Sequence, residues 1–191
     1  MTKKLVSLFL LVNVYALPSY ATEKFNFDLI VGSANQKTNV AGEDAKKGDS
    51  DSVGGRLSYL LNDNFAIDLS YFDYGNSIYK TSRVSTRTKS SAKSIGFSTH
   101  FDLNEKLLLK ARSGISFWEF DAVEAFTTST NIWTFSDDGM DPYYGLGLEY
   151  TLDDKVTLGL DLSYIKMGIE PSNLTADHEV INTSLSLGYR F

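Results

Sequence analysis

Residues 142–164 read Pro142-Tyr143-Tyr144-Gly145-Leu146-Gly147-Leu148-Glu149-Tyr150-Thr151-Leu152-Asp153-Asp154-Lys155-Val156-Thr157-Leu158-Gly159-Leu160-Asp161-Leu162-Ser163-Tyr164. Tyr144, Leu146, Leu148 and Tyr150 fall on every second position, with Gly145, Gly147 and Glu149 between them. After a short polar break, Val156, Leu158, Leu160, Leu162 and Tyr164 alternate with Thr157, Gly159, Asp161 and Ser163. Period two is the geometry of a strand, whose successive side chains point to opposite faces. The stretch is therefore a hairpin with one apolar face and one face of small and charged groups.

The same unit recurs upstream. Leu61-Asn62-Asp63-Asn64 and Asn104-Glu105-Lys106 are tight polar breaks between alternating runs, like Asp153-Asp154-Lys155. Eight strands are predicted, at 25–36, 51–60, 65–75, 89–103, 107–120, 142–152, 156–166 and 178–191. The other connections, 37–50, 76–88, 121–141 and 167–177, are long and polar. Short turns alternating with long loops are the pattern of a membrane barrel, with short turns periplasmic and long loops outside. A soluble barrel of the lipocalin kind also alternates, with its apolar face inward. Charge separates the two. The apolar parity spans 35 positions across the eight strands and carries no charge, although 22% of the chain is charged. The opposite parity carries Asp28, Arg56, Asp68, Lys110, Arg112, Glu149, Asp161 and Arg190. A charge at mid-bilayer costs roughly 2–4 kcal/mol, so the clean face belongs to lipid. The expected fold is all-β: an eight-stranded antiparallel up-and-down transmembrane β-barrel. Tyr59, Phe65, Phe101, Tyr150, Tyr189 and Phe191 near the short turns, and Tyr71, Phe117 and Tyr164 near the long loops, suit two interfacial girdles.

At the N-terminus, Lys3 and Lys4 precede an apolar run from Leu5 to Ala16, and Ser19-Tyr20-Ala21 offers a cleavage site. That is the pattern of a secretory signal peptide, expected over 1–21, with the barrel domain over 22–191. Removing the two lysines leaves 16 basic against 24 acidic residues, a net charge of −8. Such a balance speaks against nucleic acid as a partner. There is no cysteine, and the chain offers no metal-ligand or cofactor motif.

The run 142–150, the two-Asp turn, Leu158-Gly159-Leu160-Asp161-Leu162-Ser163-Tyr164 and the terminal Ser186-Leu187-Gly188-Tyr189-Arg190-Phe191 together resemble the OmpA-like family of small eight-stranded outer-membrane barrels. The likeness is to the barrel domain only. It implies export to the outer membrane of a Gram-negative bacterium, with lipids and lipopolysaccharide as surroundings and a monomeric barrel. It also implies that Tyr189 and Phe191 form the signal read by the barrel-assembly machinery. The glycine of that signal stands here at 188 rather than 186, so the match is partial.

Candidate site residues fall in two groups. Counted upward from the short turns, Arg56, Asp68, Lys110, Arg112, Glu149 and Asp161 reach similar heights, and are expected to meet in one layer and plug the lumen. From Tyr74 to Phe101 there is no acid, while Lys80, Arg83, Arg87, Lys89 and Lys93 form a basic second loop. Such groups suit anions, whether lipopolysaccharide phosphates or a sulfated host surface ligand. The third loop is acidic and holds Phe126, Ile132, Trp133 and Phe135, a candidate contact surface. Ser98 and His100 share the inward parity near a turn, too low for a lipid A-modifying enzyme, and no catalytic residue is assigned. The expected function is structural or adhesive, through the extracellular loops. A narrow ion channel and a lipid A-modifying enzyme are the alternatives.

Overall fold

A computed structural model of the chain describes residues 24–40, 45–82, 84–126, 132–170 and 176–191. The expected signal peptide and Arg83 lie outside the described residues. Eight strands form a closed barrel in which each pairs with its chain neighbours and the first with the last. They are β1 (Phe25–Val40), β2 (Lys46–Asn62), β3 (Phe65–Lys80), β4 (Val84–Asp102), β5 (Leu107–Phe126), β6 (Ile132–Thr151), β7 (Val156–Ile169) and β8 (Ala176–Arg190). Every ladder is antiparallel. At the seam, the Phe25 and Phe191 amides exchange hydrogen bonds at 3.2 and 2.9 Å. The Phe191 ring also stacks on Phe25 and Tyr189, each 6.2 Å away.

The three short turns share one device. Asn62 Oδ1 accepts from the Asn64 and Phe65 amides, Asn104 Oδ1 from Lys106 and Leu107, and Asp153 Oδ1 from Lys155 and Val156. Each side chain satisfies two backbone donors that the turn leaves unpaired.

The strands run past their predicted outer ends by two to ten residues. Much of what was expected as long loops is therefore barrel wall. Lys80 lies on β3, and Arg87, Lys89 and Lys93 lie on β4. In the same way, residues 121–126 and 132–141 of the expected third loop are extensions of β5 and β6. Pro142 sits inside β6 without breaking a ladder, because pairing with β7 begins only at Tyr143. Beyond that point carboxylates serve the neighbouring strand: Asp141 accepts from the Gly168 amide at 3.0 Å and Asp137 from the Glu170 amide at 3.0 Å.

These extensions escaped the sequence pattern because polarity inverts along the barrel axis. Between the short turns and a level near Val31, Tyr71, Phe117 and Tyr164, the outer face is apolar and exposed, and the inner face polar. At that level the outer face carries Lys93, and above it Asp51, Asp73, Glu119 and Lys166. The inner face there buries Ala34, Tyr74, Trp118, Phe120, Ile165, Met167 and Val180. The lower part is built for lipid and the upper part like a soluble barrel. In β3 the register slips between Asp73 and Asn76, at Gly75 with φ of +73°. A glycine accommodates that left-handed bulge, which shifts the alternation by one residue.

Candidate functional site

The inward charges lie in two tiers rather than the single layer expected. In the upper tier, Arg56 from β2 pairs with Asp28, its register partner on the adjacent β1, and reaches across the lumen to Asp161 of β7, with Nη1 3.4 Å from an oxygen of each. Arg112 from β5 pairs with Asp161 and holds its Nε 3.6 Å from Asp68 Oδ2 of β3. Asp161 also accepts from Ser186 at 3.2 Å, and Asp28 from Asn26 at 2.8 Å. The lower tier joins Lys110 of β5 to Glu149 of β6, whose other oxygen takes Arg190 of β8 at 2.9 Å. Apart from Arg190, these side chains are 1–6% exposed. Four acids meet four bases, so the set is neutral overall. An eight-stranded barrel is just wide enough for side chains to fill it, and buried charges at such a place demand partners.

Asp28 and Arg190 belong to this network although the height count did not group them with it. Both show in the sequence as inward-parity charges, but strand stagger moves them relative to a count from the turns. Small residues on the inner wall make room for the pairs. A Cβ at Gly147 would stand 2.6 Å from Arg112 Nη1 and 2.8 Å from Asp161 Oδ1. The Gly145-Leu146-Gly147 alternation thus provides apolar contact outside and space for guanidinium inside.

Above the network a void of only about 20 Å³ lies against Arg56, Arg112, Phe72, Tyr74 and Tyr143. The apolar interior follows, crossed by a polar strut: His178 is bonded to Thr38 at 2.9 Å and to Gln36 at 3.1 Å on the adjacent β1, and Gln36 accepts from Ser90 of β4 at 3.3 Å. Below the network a vestibule of about 330 Å³ opens at the turn end, lined in part by His100, Lys110 and Arg190. Ser98 Oγ and His100 Nε2 are 3.1 Å apart at that end, with no carboxylate hydrogen-bonded to the imidazole among the described residues.

The basic residues form a patch on the outer wall of β3 and β4. Arg87, Lys89 and Lys93 share the outward parity of β4, and Lys80 lies beside them on β3, paired with Ser85. Two are partly neutralised by neighbours. Lys93 lies 3.3 Å from Glu119 and Lys89 lies 4.0 Å from Asp73. The Lys93–Glu119 pair is about two-thirds exposed and holds loosely, as surface pairs do. Of the apolar third-loop residues, Phe126, Trp133 and Phe135 line a recess at the mouth, Trp133 at its exposed rim, whereas Ile132 has the opposite, outward parity.

The chain matches the outer membrane protein beta-barrel domain family over residues 5–191. No curated protein matches it. Among solved structures it is similar to Neisserial surface protein A, with a TM-score of 0.56 at 14% identity over 86% of this chain and 97% of that one. OprG from Pseudomonas aeruginosa gives 0.56 at 12% identity over 88% and 97%. Ail, the attachment invasion locus protein of Yersinia pestis, gives 0.51 at 14% identity over 88% and 99%. At such identities the likeness is one of fold. A closed eight-stranded barrel with an apolar outer band, and a family match along nearly all of the sequence, lead to one assignment: the chain belongs to the outer membrane protein beta-barrel domain family, and the protein resides in the bacterial outer membrane.

Proposed function

We propose that this barrel is a non-enzymatic, non-conducting outer-membrane protein that works through its extracellular wall as a structural or adhesive element. One observation carries the reading: the lumen is filled twice, by the ion-pair network and by the apolar interior above it, while the strands continue outward as a charged cylinder. A path for ions would have to break both fillings. The outward patch of Lys80, Arg87, Lys89 and Lys93, together with Arg83, is the contact for anions. Lys93 stands at the level of Tyr71 and Phe117, where lipopolysaccharide phosphates would lie. Ammonium and guanidinium groups donate charge-assisted hydrogen bonds to phosphate or sulfate, and salt screens the attraction.

The test has two arms. In planar bilayers the native protein shows no steady single-channel conductance. Binding to lipopolysaccharide or heparin at low salt is lost when all five basic residues become Gln, with assembly intact. A large open conductance overturns the first half of the proposal. Anion binding that survives the five replacements overturns the second.

A further inference from the structure

At the outer mouth the barrel wall encloses a recess of about 490 Å³. Phe120, Ala122, Phe126, Phe135, Ile169 and Ala176 supply its apolar lining. Its bottom is closed by the buried Trp118, Met167 and Val180, so the recess ends blind. Among Thr38, Thr86, Thr88 and Thr134, which also line the wall, stands an ion pair. Lys46 Nζ lies 3.1 Å from Glu124 Oε2, and the two side chains are only 18% and 28% exposed. Both face inward, from β2 and β5, and Thr86 Oγ1 lies 3.5 Å from the same Glu124 oxygen.

An ion pair in such a wall costs more than apolar side chains of the same size would, because both charges give up much of their water. It does offer what an apolar wall lacks, a donor and an acceptor side by side. Concave, mostly apolar sites with a few convergent polar groups are the usual form of small-molecule sites, and barrel mouths are a common place for them. We infer that this recess binds a small neutral amphiphile with a hydroxyl head. The apolar body lies against Phe120, Phe135 and Ile169, and the hydroxyl accepts from Lys46 and donates to Glu124. The volume suits roughly fifteen non-hydrogen atoms, at the ~30 Å³ that one water occupies in the liquid. A carboxylate head would lose the donated bond and meet the Glu124 charge, which sets the preference for an alcohol. Because the floor is closed, the site retains its ligand rather than passing it through. The inference does not depend on the anion-binding wall, which faces the other way.

The experiment uses the whole protein in lipid nanodiscs, titrated with 8-bromo-1-octanol. Bromine quenches tryptophan at short range, and Trp133 lines the recess. Saturable quenching is expected, shifted at least tenfold to higher concentration in Ala122→Phe, which fills the recess. The same shift is expected in the double variant Lys46→Met with Glu124→Met, which keeps the volume and removes the pair. Heat-shifted gel mobility checks that each variant is assembled. If Ala122→Phe fails to assemble, the double variant carries the test alone. 8-bromooctanoate should bind at least tenfold more weakly than the alcohol. Quenching that never saturates, as simple partition into lipid would give, overturns the proposal. So does saturation at the same concentration in every assembled variant. Equal binding of the carboxylate overturns the role given to the ion pair.

Discussion

Asp153, Asn62 and Asn104 do the same work at the three short turns, each accepting two backbone amides. Only Asp153 can lose that ability by titration. The Lys155 amide and then the Val156 amide hold its carboxyl below the usual carboxylate range. A depressed folded value contributes stability that is present above the unfolded value, about 3.9, and is lost as pH falls through the folded one. The third turn should therefore open in strong acid while the other two do not. Amide exchange at Lys155 and Val156 should accelerate below about pH 4, while exchange at Lys106 and Leu107 stays level. Asp153→Asn keeps the acceptor and should remove the acid response; an unchanged pH profile in that variant would refute the assignment. These turns were legible as polar breaks between alternating runs. Their shared hydrogen-bond geometry was not, because Asn and Asp in such breaks serve many turn types.

At the scale of the strand, one parity means two things. Leu160, on the outer face of β7 near the middle of the apolar band, is 51% exposed. Val123, on the outer face of β5 above the band, is 39% exposed. Leu160→Arg should cost roughly 2–4 kcal/mol or block assembly, since that position meets hydrocarbon. Val123→Arg should stay within about 0.5 kcal/mol, as surface changes usually do. Urea unfolding in lipid vesicles measures both. Equal costs would show that the band is misplaced or that lipid covers the upper wall too. This inversion explains why strand existence was readable and strand length was not. The predicted ends lie close to where apolar residues change face, at Phe120 in β5 and just beyond Lys166 in β7. Past that point the pattern of a membrane strand stops, but the hydrogen-bonded ladder continues.

For the whole molecule, the ion-pair network links seven of the eight strands, all but β4, and is the closest thing the barrel has to a core within the membrane. Arg112→Ala leaves Asp161 short of one base and Asp68 without its partner, and should cost about 3–5 kcal/mol, the penalty of an unpaired buried charge. Arg112→Ala with Asp161→Ala should cost less than the sum of the two single changes, because each strands a charge that the other removes. The double variant should also raise bilayer conductance above the native level. Additive costs and an unchanged current would mean that these groups neither pair nor obstruct the lumen. The sequence by itself determined the number of strands, their up-and-down order, the lipid-facing parity and the inward charges, because all of these follow from period two and from the cost of charge in hydrocarbon. Only the tertiary structure decided which charge meets which, that Asp28 and Arg190 join the set, and that the network has two tiers. It alone showed that the wall continues outward around a blind apolar recess. Those facts depend on stagger between strands distant in sequence, such as β2 and β7, or β1 and β8. Alternation within one strand carries no record of that stagger.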